Sequence, residues 1–331
     1  MSAAQNCLFP WQMPSWEQLT RWIDTQRLPH ALIFSGTSGI GRSNLALCFA
    51  QSLLCESTQA NYAACGECKS CRLFQAQNHP DFMLIEPEHS GKPITIDSIR
   101  ELRRNLVLSP QYDRYQVVII RPAGKMNKNA TNALLKTLEE PTPQVVLILI
   151  SETVGELPVT IISRCQQLTI ARPDPALATQ WLSQFVESAQ SEILLSLVNG
   201  APLVALALHE SKALEQRKLI FRAWLDVAEC HADPVEIAEK WVDLASQTTL
   251  FWITGWIIDI IRLHSYPKTQ SLNNADFREG LQALAQRLNL THLFAFFDLL
   301  LESRKLVDSQ INQQLMWEEI LIEWQSITKA C

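Results

Sequence analysis

Residues 31–43 have the sequence ALIFSGTSGIGRS, in which an apolar segment leads into a glycine-rich loop. The loop follows the phosphate-binding pattern G-x-x-x-x-G-K-[ST], except that Arg42 stands at the lysine position. Its other candidate binding residues are Gly36, Gly39, Gly41 and Ser43. A helical pattern follows directly, and α/β folds bind phosphates where a strand ends and a helix begins. The stretch therefore predicts an α/β domain with an altered nucleotide-binding loop.

Further apolar segments follow at residues 81–85, 117–120, 145–150 and 168–170, with helical patterns between them. Continuous apolar strands that alternate with helices indicate a parallel sheet covered on both faces. One of the helices covers residues 129–140, and Pro141 ends it. A second is predicted at residues 98–106, with Asp97 as its N-cap.

This second helix carries Arg100, Arg103 and Arg104 close together. We interpret them as a solvated basic face, and a contact with DNA phosphates stays open as the alternative.

A second position of the nucleotide site also departs from a working ATPase. The strand at 117–120 is followed by Arg121 and Pro122, where an ATPase carries the carboxylates that order magnesium and activate water. A cation there puts like charge beside the metal position, and proline cannot act as a base. Arginine at position 42 is bulkier and planar and does not replace lysine. We therefore predict that the chain does not hydrolyse ATP, and leave open whether the loop retains nucleotide.

Nine cysteines occur in the chain, and four of them are closely spaced: Cys55, Cys65, Cys68 and Cys71. The two overlapping C-x-x-C units predict a structural zinc site with four thiolates. An iron–sulfur cluster and a chance grouping are the alternatives, because spacing alone does not choose the metal. His79 would be surplus to four cysteines, so we expect it to have a local structural role. Most of the remaining cysteines are expected to be small buried apolar residues; they are Cys7, Cys48, Cys165, Cys230 and Cys331.

The composition is that of a folded globular protein of several domains, with 331 residues of which 47% are hydrophobic. The net charge of −6 argues against a stand-alone nucleic-acid binder. We find no apolar run of the roughly 20 residues that span a membrane and no leader pattern, so we expect a cytoplasmic protein without membrane contact. A disulfide framework is not expected there.

Strand patterns fade after residue 171, and long amphipathic helices dominate the last third of the chain. We predict three domains, at residues 1–171 with a metal module around 55–71, 172–210 and 211–331. Six tryptophans of the last region are interpreted as core or subunit-contact residues and not as base-stacking platforms; they lie at 224, 241, 252, 256, 317 and 324.

Taken together, the chain resembles the delta-prime subunits of the bacterial DNA polymerase III clamp loader, in the AAA+ superfamily. The resemblance covers the whole chain and rests on the order and spacing of six segments. They are the four cysteines, Phe9-Pro10-Trp11, Leu28-Pro29-His30-Ala31, Asn78-His79-Pro80-Asp81, the run from Asn132 to Pro141, and Ser163-Arg164-Cys165.

The resemblance implies an α/β AAA+ domain with an inserted zinc module, a small helical lid and an all-α collar that joins five subunits in a ring. It also implies that Arg164 acts as an arginine finger in the nucleotide site of a neighbouring ATPase subunit. The lid of the family's ATPases supplies an arginine where this chain has Leu203. The implied partners are gamma/tau-type ATPase subunits, the delta subunit and, through them, the sliding clamp and primed DNA.

Two other functions remain alternatives at this point. The chain is either an autonomous P-loop ATPase that acts on DNA, which requires hydrolysis by the isolated protein, or a zinc-dependent nucleic-acid binder. The second alternative requires salt-sensitive DNA binding that is abolished when the metal is removed.

Overall fold

The computed structural model describes residues 8–89, 91–106, 110–112, 114–307 and 312–329. The chain forms two compact units. The first extends to Ala178 and includes Ala201–Leu203; the second comprises Thr179–Gly200 and the residues from Val204 onward. The division into three domains stays a prediction.

A five-stranded sheet forms the centre of the first unit. Its strands are β1 (Ala31–Ser35), β2 (Phe82–Ile85), β3 (Gln116–Ile120), β4 (Val145–Ile150) and β5 (Gln166–Thr169). Their order in the sheet is β2-β3-β4-β1-β5, and every neighbouring pair is parallel. The predicted parallel sheet is confirmed. Because the strands are parallel, the residues that follow each strand lie at one edge of the sheet. The altered loop begins at this edge, after β1.

Both faces of the sheet are covered. In β1, Leu32 and Phe34 pack into one apolar cluster, whereas Ala31 and Ile33 pack into another on the opposite face. A strand that is buried on both faces has an almost continuous apolar sequence, as β1 does. Each fully buried Leu, Ile or Phe side chain contributes about 1.5–3 kcal/mol.

The last strand differs from its prediction at residues 168–170. It spans Gln166–Thr169, and only Leu168 of it is buried. Because β5 pairs with β1 alone at the sheet edge, its pattern is set by hydrogen bonding to β1 and not by apolar sequence.

Helices flank the sheet on both sides. They are α1 (Met13–Asp24), α2 (Arg42–Leu54), α3 (Lys69–Gln75), α4 (Ile96–Asn105), α5 (Lys128–Glu139) and α6 (Val159–Ile162). The helical pattern predicted after the glycine loop and the helix predicted at 129–140 correspond to α2 and α5. Asn127 caps α5, its side chain accepting the Ala130 N–H.

The prediction of Asp97 as an N-cap is wrong. Helix α4 begins two residues earlier, with Thr95 at the N-cap, so Asp97 lies in the first turn and pairs with Arg100 at 3.2 Å. A carboxylate in the first turn is favourable because of the helix dipole, which explains why the sequence resembled a cap.

The remaining helices are α7 (Pro175–Leu182), α8 (Ser188–Leu197), α9 (Pro202–Glu210), α10 (Ala213–Ala228), α11 (Pro234–Trp241), α12 (Ser246–Ser265), α13 (Arg278–Arg287), α14 (Leu290–Leu306) and α15 (Gln313–Lys329). Asn199 and Gly200 follow α8 in the left-handed conformation that commonly ends a helix.

The core of the second unit is rich in tryptophan. The six tryptophans of the last region are buried, which confirms their assignment to the core. Trp224 and Trp324 stack with ring centroids 4.0 Å apart, and the Trp324 Nε1–H donates to the Trp224 carbonyl at 3.1 Å.

In the part of the chain that the structure describes, no single helix is long and apolar enough to cross a membrane. Only α8 and α9 taken together meet that test, and they are bent by 114° at the interruption between them.

Candidate nucleotide site and metal centre

The glycine loop follows β1 and requires glycine at its first position. Gly36 has φ 149°, and a Cβ there would lie 2.6 Å from the carbonyl oxygen of Ile170. Gly41 is the left-handed N-cap of α2, with φ 83°. The backbone of the loop therefore requires glycine at both positions.

Residues near the start of the described chain hold this loop. The Gln12 amide donates to the carbonyl of Gly41 at 2.7 Å, and the Trp11 indole N–H donates to that of Ile40 at 2.9 Å. From the other side, the Leu203 backbone N–H donates to the Gly39 carbonyl at 3.1 Å. All three contacts engage carbonyl oxygens, whereas a phosphate binds loop N–H groups. The protein itself thus fixes the shape of the loop.

Arg42 does not extend freely toward a phosphate position. Its Nη2 pairs with Glu152 Oε1 at 3.2 Å, and its side chain is only 12% exposed. Glu152 follows β4, and its carbonyl accepts the Gly36 N–H at 3.1 Å. The cation that replaces the lysine is therefore neutralised by a carboxylate of the same chain.

The second altered position has the same design. Arg121 follows β3, and its Nε pairs with Glu86 Oε1 at 2.7 Å, Glu86 following the neighbouring strand β2. Pro122 comes next and starts the turn after the strand. The predicted magnesium position therefore carries an ion pair and not a free carboxylate.

Arg164 lies near the end of the first unit, after α6. Its Nη2 pairs with Glu139 Oε1 at 2.8 Å, and its Nη1 donates to the Thr160 carbonyl at 2.9 Å and to Ser163 Oγ at 3.3 Å. The side chain is 37% exposed. Val159, five residues earlier at the start of α6, is 78% exposed.

The acidic partners Glu86, Glu139 and Glu152 were missed in the sequence. Glu86 comes directly after β2 and Glu152 two residues after the end of β4, and the sequence predicts both strands. Because the carboxyl ends of neighbouring parallel strands lie at one edge, that position was the available signal.

The four predicted metal-ligating cysteines come together. The Sγ atoms of Cys55, Cys65, Cys68 and Cys71 all lie within 4.8 Å of one another. The Cys55–Cys65, Cys55–Cys68 and Cys65–Cys71 sulfur separations are 3.5, 4.0 and 3.9 Å. A tetrahedral ion with metal–sulfur bonds of about 2.3 Å sets such separations at ~3.8 Å. The cluster therefore has the size of a single-ion site, smaller than a cage in which each iron takes its own thiolate.

Local structure prepares these sulfurs for a cation. Backbone N–H groups donate to the sulfurs of Cys55, Cys65 and Cys68, each at 3.3 Å. Such bonds favour the thiolate, and the pKa of Cys65 is lowered to about 7, chiefly by the Glu67 N–H. Burial raises the pKa of Cys55 and Cys71. Metal binding would offset that cost, because coordination deprotonates thiols.

His79 is buried beside the cluster and outside the ligand set. Its Nδ1 accepts the Asp81 N–H at 3.1 Å, and its Nε2 lies 2.9 Å from Ser70 Oγ, which donates to the Leu54 carbonyl. Burial lowers the pKa of His79, which favours this neutral form. The predicted structural role of His79 is confirmed.

The isolated cysteines fit their prediction unevenly. Cys48 is buried, but it takes part in a disulfide bond, which the sequence did not indicate. Cys165 is partly buried, and burial raises its pKa to about 12. Cys230 is exposed at a left-handed turn after α10 and is an exception among the isolated cysteines that the structure describes. Cys7 and Cys331 lie outside the described residues.

The basic face of α4 borders a cleft of about 540 Å³. Its walls include Arg100, Arg103, Arg104 and, from α5, Lys136. The three arginines are exposed, as expected for a solvated face.

The fold and the site together define an AAA+-like protein of the clamp-loader class. The features that define it are a five-stranded parallel sheet with a glycine loop after β1, a separate helical unit and a four-cysteine cluster. The profile described as "DNA polymerase III, delta subunit" matches residues 11–174, and that described as "DNA polymerase III, delta subunit, C terminal" matches residues 211–326. A "DNA polymerase III subunit delta'" of Pseudomonas aeruginosa is 35% identical over 97% of this chain and 98% of its own length. The chain belongs to the delta' family of DNA polymerase III subunits.

Two further comparisons extend this result. A "DNA polymerase III subunit tau/gamma" of Haemophilus influenzae is 34% identical over 51% of this chain and 24% of its own length. The crystal structure of a gamma subunit-related protein of DNA polymerase III from Thermotoga maritima superimposes with a TM-score of 0.51 and 18% identity, covering 95% of this chain and 99% of that one. The second likeness concerns the fold alone.

Proposed function

We propose that this chain is a ring member of the bacterial clamp loader that does not hydrolyse ATP itself and that completes the nucleotide site of a neighbouring ATPase subunit with Arg164. One contrast carries the proposal. All three arginines pair with a carboxylate, and they differ in exposure. The side chains of Arg42 and Arg121, at the chain's own altered nucleotide site, are 12% and 27% exposed, whereas that of Arg164 is 37% exposed.

The loss of hydrolysis follows from charge. A phosphate that binds the loop must compete with Glu152 for the Arg42 guanidinium. Magnesium must bind beside Arg121, whose partner Glu86 is already engaged at 2.7 Å. Both contributions oppose the Mg²⁺–phosphate arrangement that hydrolysis needs.

An arginine acts across an interface by stabilising charge on the transferred phosphoryl group. Arg164 suits this role because its guanidinium is anchored at one side and exposed at the other. The partners in this proposal are gamma/tau-type ATPase subunits and the delta subunit in a hetero-pentameric ring, which loads the sliding clamp on primed DNA in the cytoplasm. The metal is proposed to be structural zinc, since four thiolates at these separations suit a tetrahedral ion.

The test is a loader reconstituted with the Arg164→Ala chain, in which ATP hydrolysis stimulated by clamp and primed DNA is measured. We expect the hydrolysis at one site to fall on the order of a thousandfold, so the total rate loses that site's share. An unchanged rate in a fully assembled complex contradicts the proposal.

The matched control is Arg27→Ala, which removes an exposed arginine that follows α1 on the same unit. The isolated wild-type chain is assayed in parallel. Turnover by the isolated chain would favour the alternative function, an autonomous P-loop ATPase acting on DNA.

A further inference from the structure

Glu139 is the last residue of α5, and its carboxylate meets the Arg164 guanidinium at 2.8 Å. The same guanidinium donates through Nη1 to the Thr160 carbonyl at 2.9 Å. The side chain is thus held from two directions, by a carboxylate on α5 and by the backbone of α6. These contacts engage Nη1 and Nη2, so Nε and one further N–H are left to face a ligand.

We infer that Glu139 is a positioning residue for Arg164, which fixes the guanidinium in the orientation that a neighbouring nucleotide site requires. This inference rests on the proposed function, because it assigns a task to Glu139 only where Arg164 acts in trans. Glu139 acts through Arg164, and no contact with the nucleotide is assigned to it.

The position of Glu139 is unfavourable for its own helix. The carboxyl end of a helix carries partial negative charge, so a carboxylate in the last turn is repelled by it. Glu139 has only Lys136 as a basic residue in that turn. Glu139 thus lowers the stability of its own helix, and its favourable interaction is the ion pair with Arg164.

The backbones that carry the two residues are fixed relative to each other. Leu138 of α5 and Ile161 of α6 are buried in one apolar cluster, and Ile162 and Cys165 pack against it on either side of Arg164. Burial keeps the Cys165 thiol neutral, its pKa being raised to about 12, so this residue acts as a small apolar anchor. With the backbones fixed, the orientation of the guanidinium depends on rotation of the Arg164 side chain, and the ion pair with Glu139 restricts that rotation.

An arginine side chain has many rotamers, and ordering them before the reaction removes an entropic cost from the transition state. Loss of one exposed ion pair changes such an equilibrium by about 2- to 5-fold. We therefore expect Glu139→Gln to lower the part of the hydrolysis rate that depends on Arg164 by about 2- to 5-fold, with little change in KM.

The experiment compares loaders assembled with wild-type, Glu139→Gln, Arg164→Ala and doubly substituted chains. The Arg164-dependent rate is the wild-type rate minus that of Arg164→Ala. The double variant should match Arg164→Ala, because Glu139 acts only through that arginine. The control is Glu140→Gln, which removes the same charge one residue further on; the Glu140 side chain makes no ion pair among the described residues.

A second readout needs only the isolated full chain. In the NMR spectrum of arginine side-chain nitrogens, the Arg164 signals should show restricted rotation in the wild type and in Glu140→Gln, and free rotation in Glu139→Gln. Circular dichroism and co-purification of the loader establish that each variant folds and assembles.

Each outcome has a separate meaning. If Arg164→Ala lowers the rate and Glu139→Gln does not, the arginine acts in trans but the positioning role is wrong. A higher rate in Glu139→Gln also overturns the inference, since Glu139 would then restrain the arginine. If Arg164→Ala leaves the rate unchanged, the proposed function fails, whatever Glu139→Gln does.

Discussion

Arg42 stands where a phosphate-binding loop carries lysine, and Glu152 of the same chain neutralises its charge. A substitution at this position tests whether lysine alone restores ATP hydrolysis. Lysine at this position would supply a compact ammonium in place of the planar guanidinium. We predict that Arg42→Lys leaves ATP hydrolysis by the isolated chain at background, because Arg121, paired with Glu86, still stands at the proposed magnesium position. Steady-state phosphate release is the measurement, and turnover clearly above background would contradict the assignment at Arg121.

Gly36 illustrates a residue whose identity is dictated by the backbone. A side chain there would meet the Ile170 carbonyl at 2.6 Å and require φ 149°. We predict that Gly36→Ala lowers the free energy of unfolding by about 1–3 kcal/mol. Gly155→Ala is the control, because a Cβ at Gly155 meets nothing within 4 Å, and it should stay within about 0.5 kcal/mol of the wild type. Denaturation curves followed by circular dichroism compare the two, and equal losses would contradict the steric argument.

At the scale of elements, the metal module connects three parts of the first unit. Cys55 ends α2, Cys68 caps α3, and Ser70 of α3 reaches His79 before β2. Beyond His79, the buried Asp81 carboxylate accepts the backbone N–H groups of residues 111 and 112. The module therefore supports the segment that leads into β3 through a chain of hydrogen bonds.

This connection predicts the effect of metal removal. Chelation should increase amide hydrogen exchange at residues 65–72 and, through His79 and Asp81, at residues 111–112. Without the metal, the cysteine thiolates repel one another or take up protons, so the site loses its order. Helix α12 in the second unit serves as the internal control and should stay protected. Exchange that rises uniformly in both units, or nowhere, would contradict a local structural role. Zinc should restore protection after chelation.

The elements differ in how far the sequence could predict them. β1, β3 and β4 are buried on both faces, so their apolar runs revealed them, and the cysteine spacing revealed the metal cluster. The ion pair of Arg42 joins residues 110 positions apart and that of Arg121 residues 35 apart. Such pairs depend on which strand ends are neighbours, and the order of strands in a sheet is not written in any local pattern.

For the whole molecule, the acidic balance is the decisive property for contact with DNA. A net charge of −6 repels a polyanion, and the exposed arginines of α4 are a local exception. We predict that the isolated chain binds a primed duplex no more tightly than the non-specific range of about 10⁻⁴–10⁻⁶ M at physiological salt. Fluorescence anisotropy at several salt concentrations measures this.

Two comparisons separate the sources of any residual binding. Replacing Arg100, Arg103 and Arg104 by alanine should weaken it and flatten its salt dependence by about one unit of slope for each phosphate that is no longer neutralised. Chelation of the metal should leave it unchanged, because the four cysteines are separate from the residues that line the cleft beside α4. Sub-micromolar binding that disappears on chelation would instead make the metal module the DNA-binding element, and the chain would then be a zinc-dependent nucleic-acid binder.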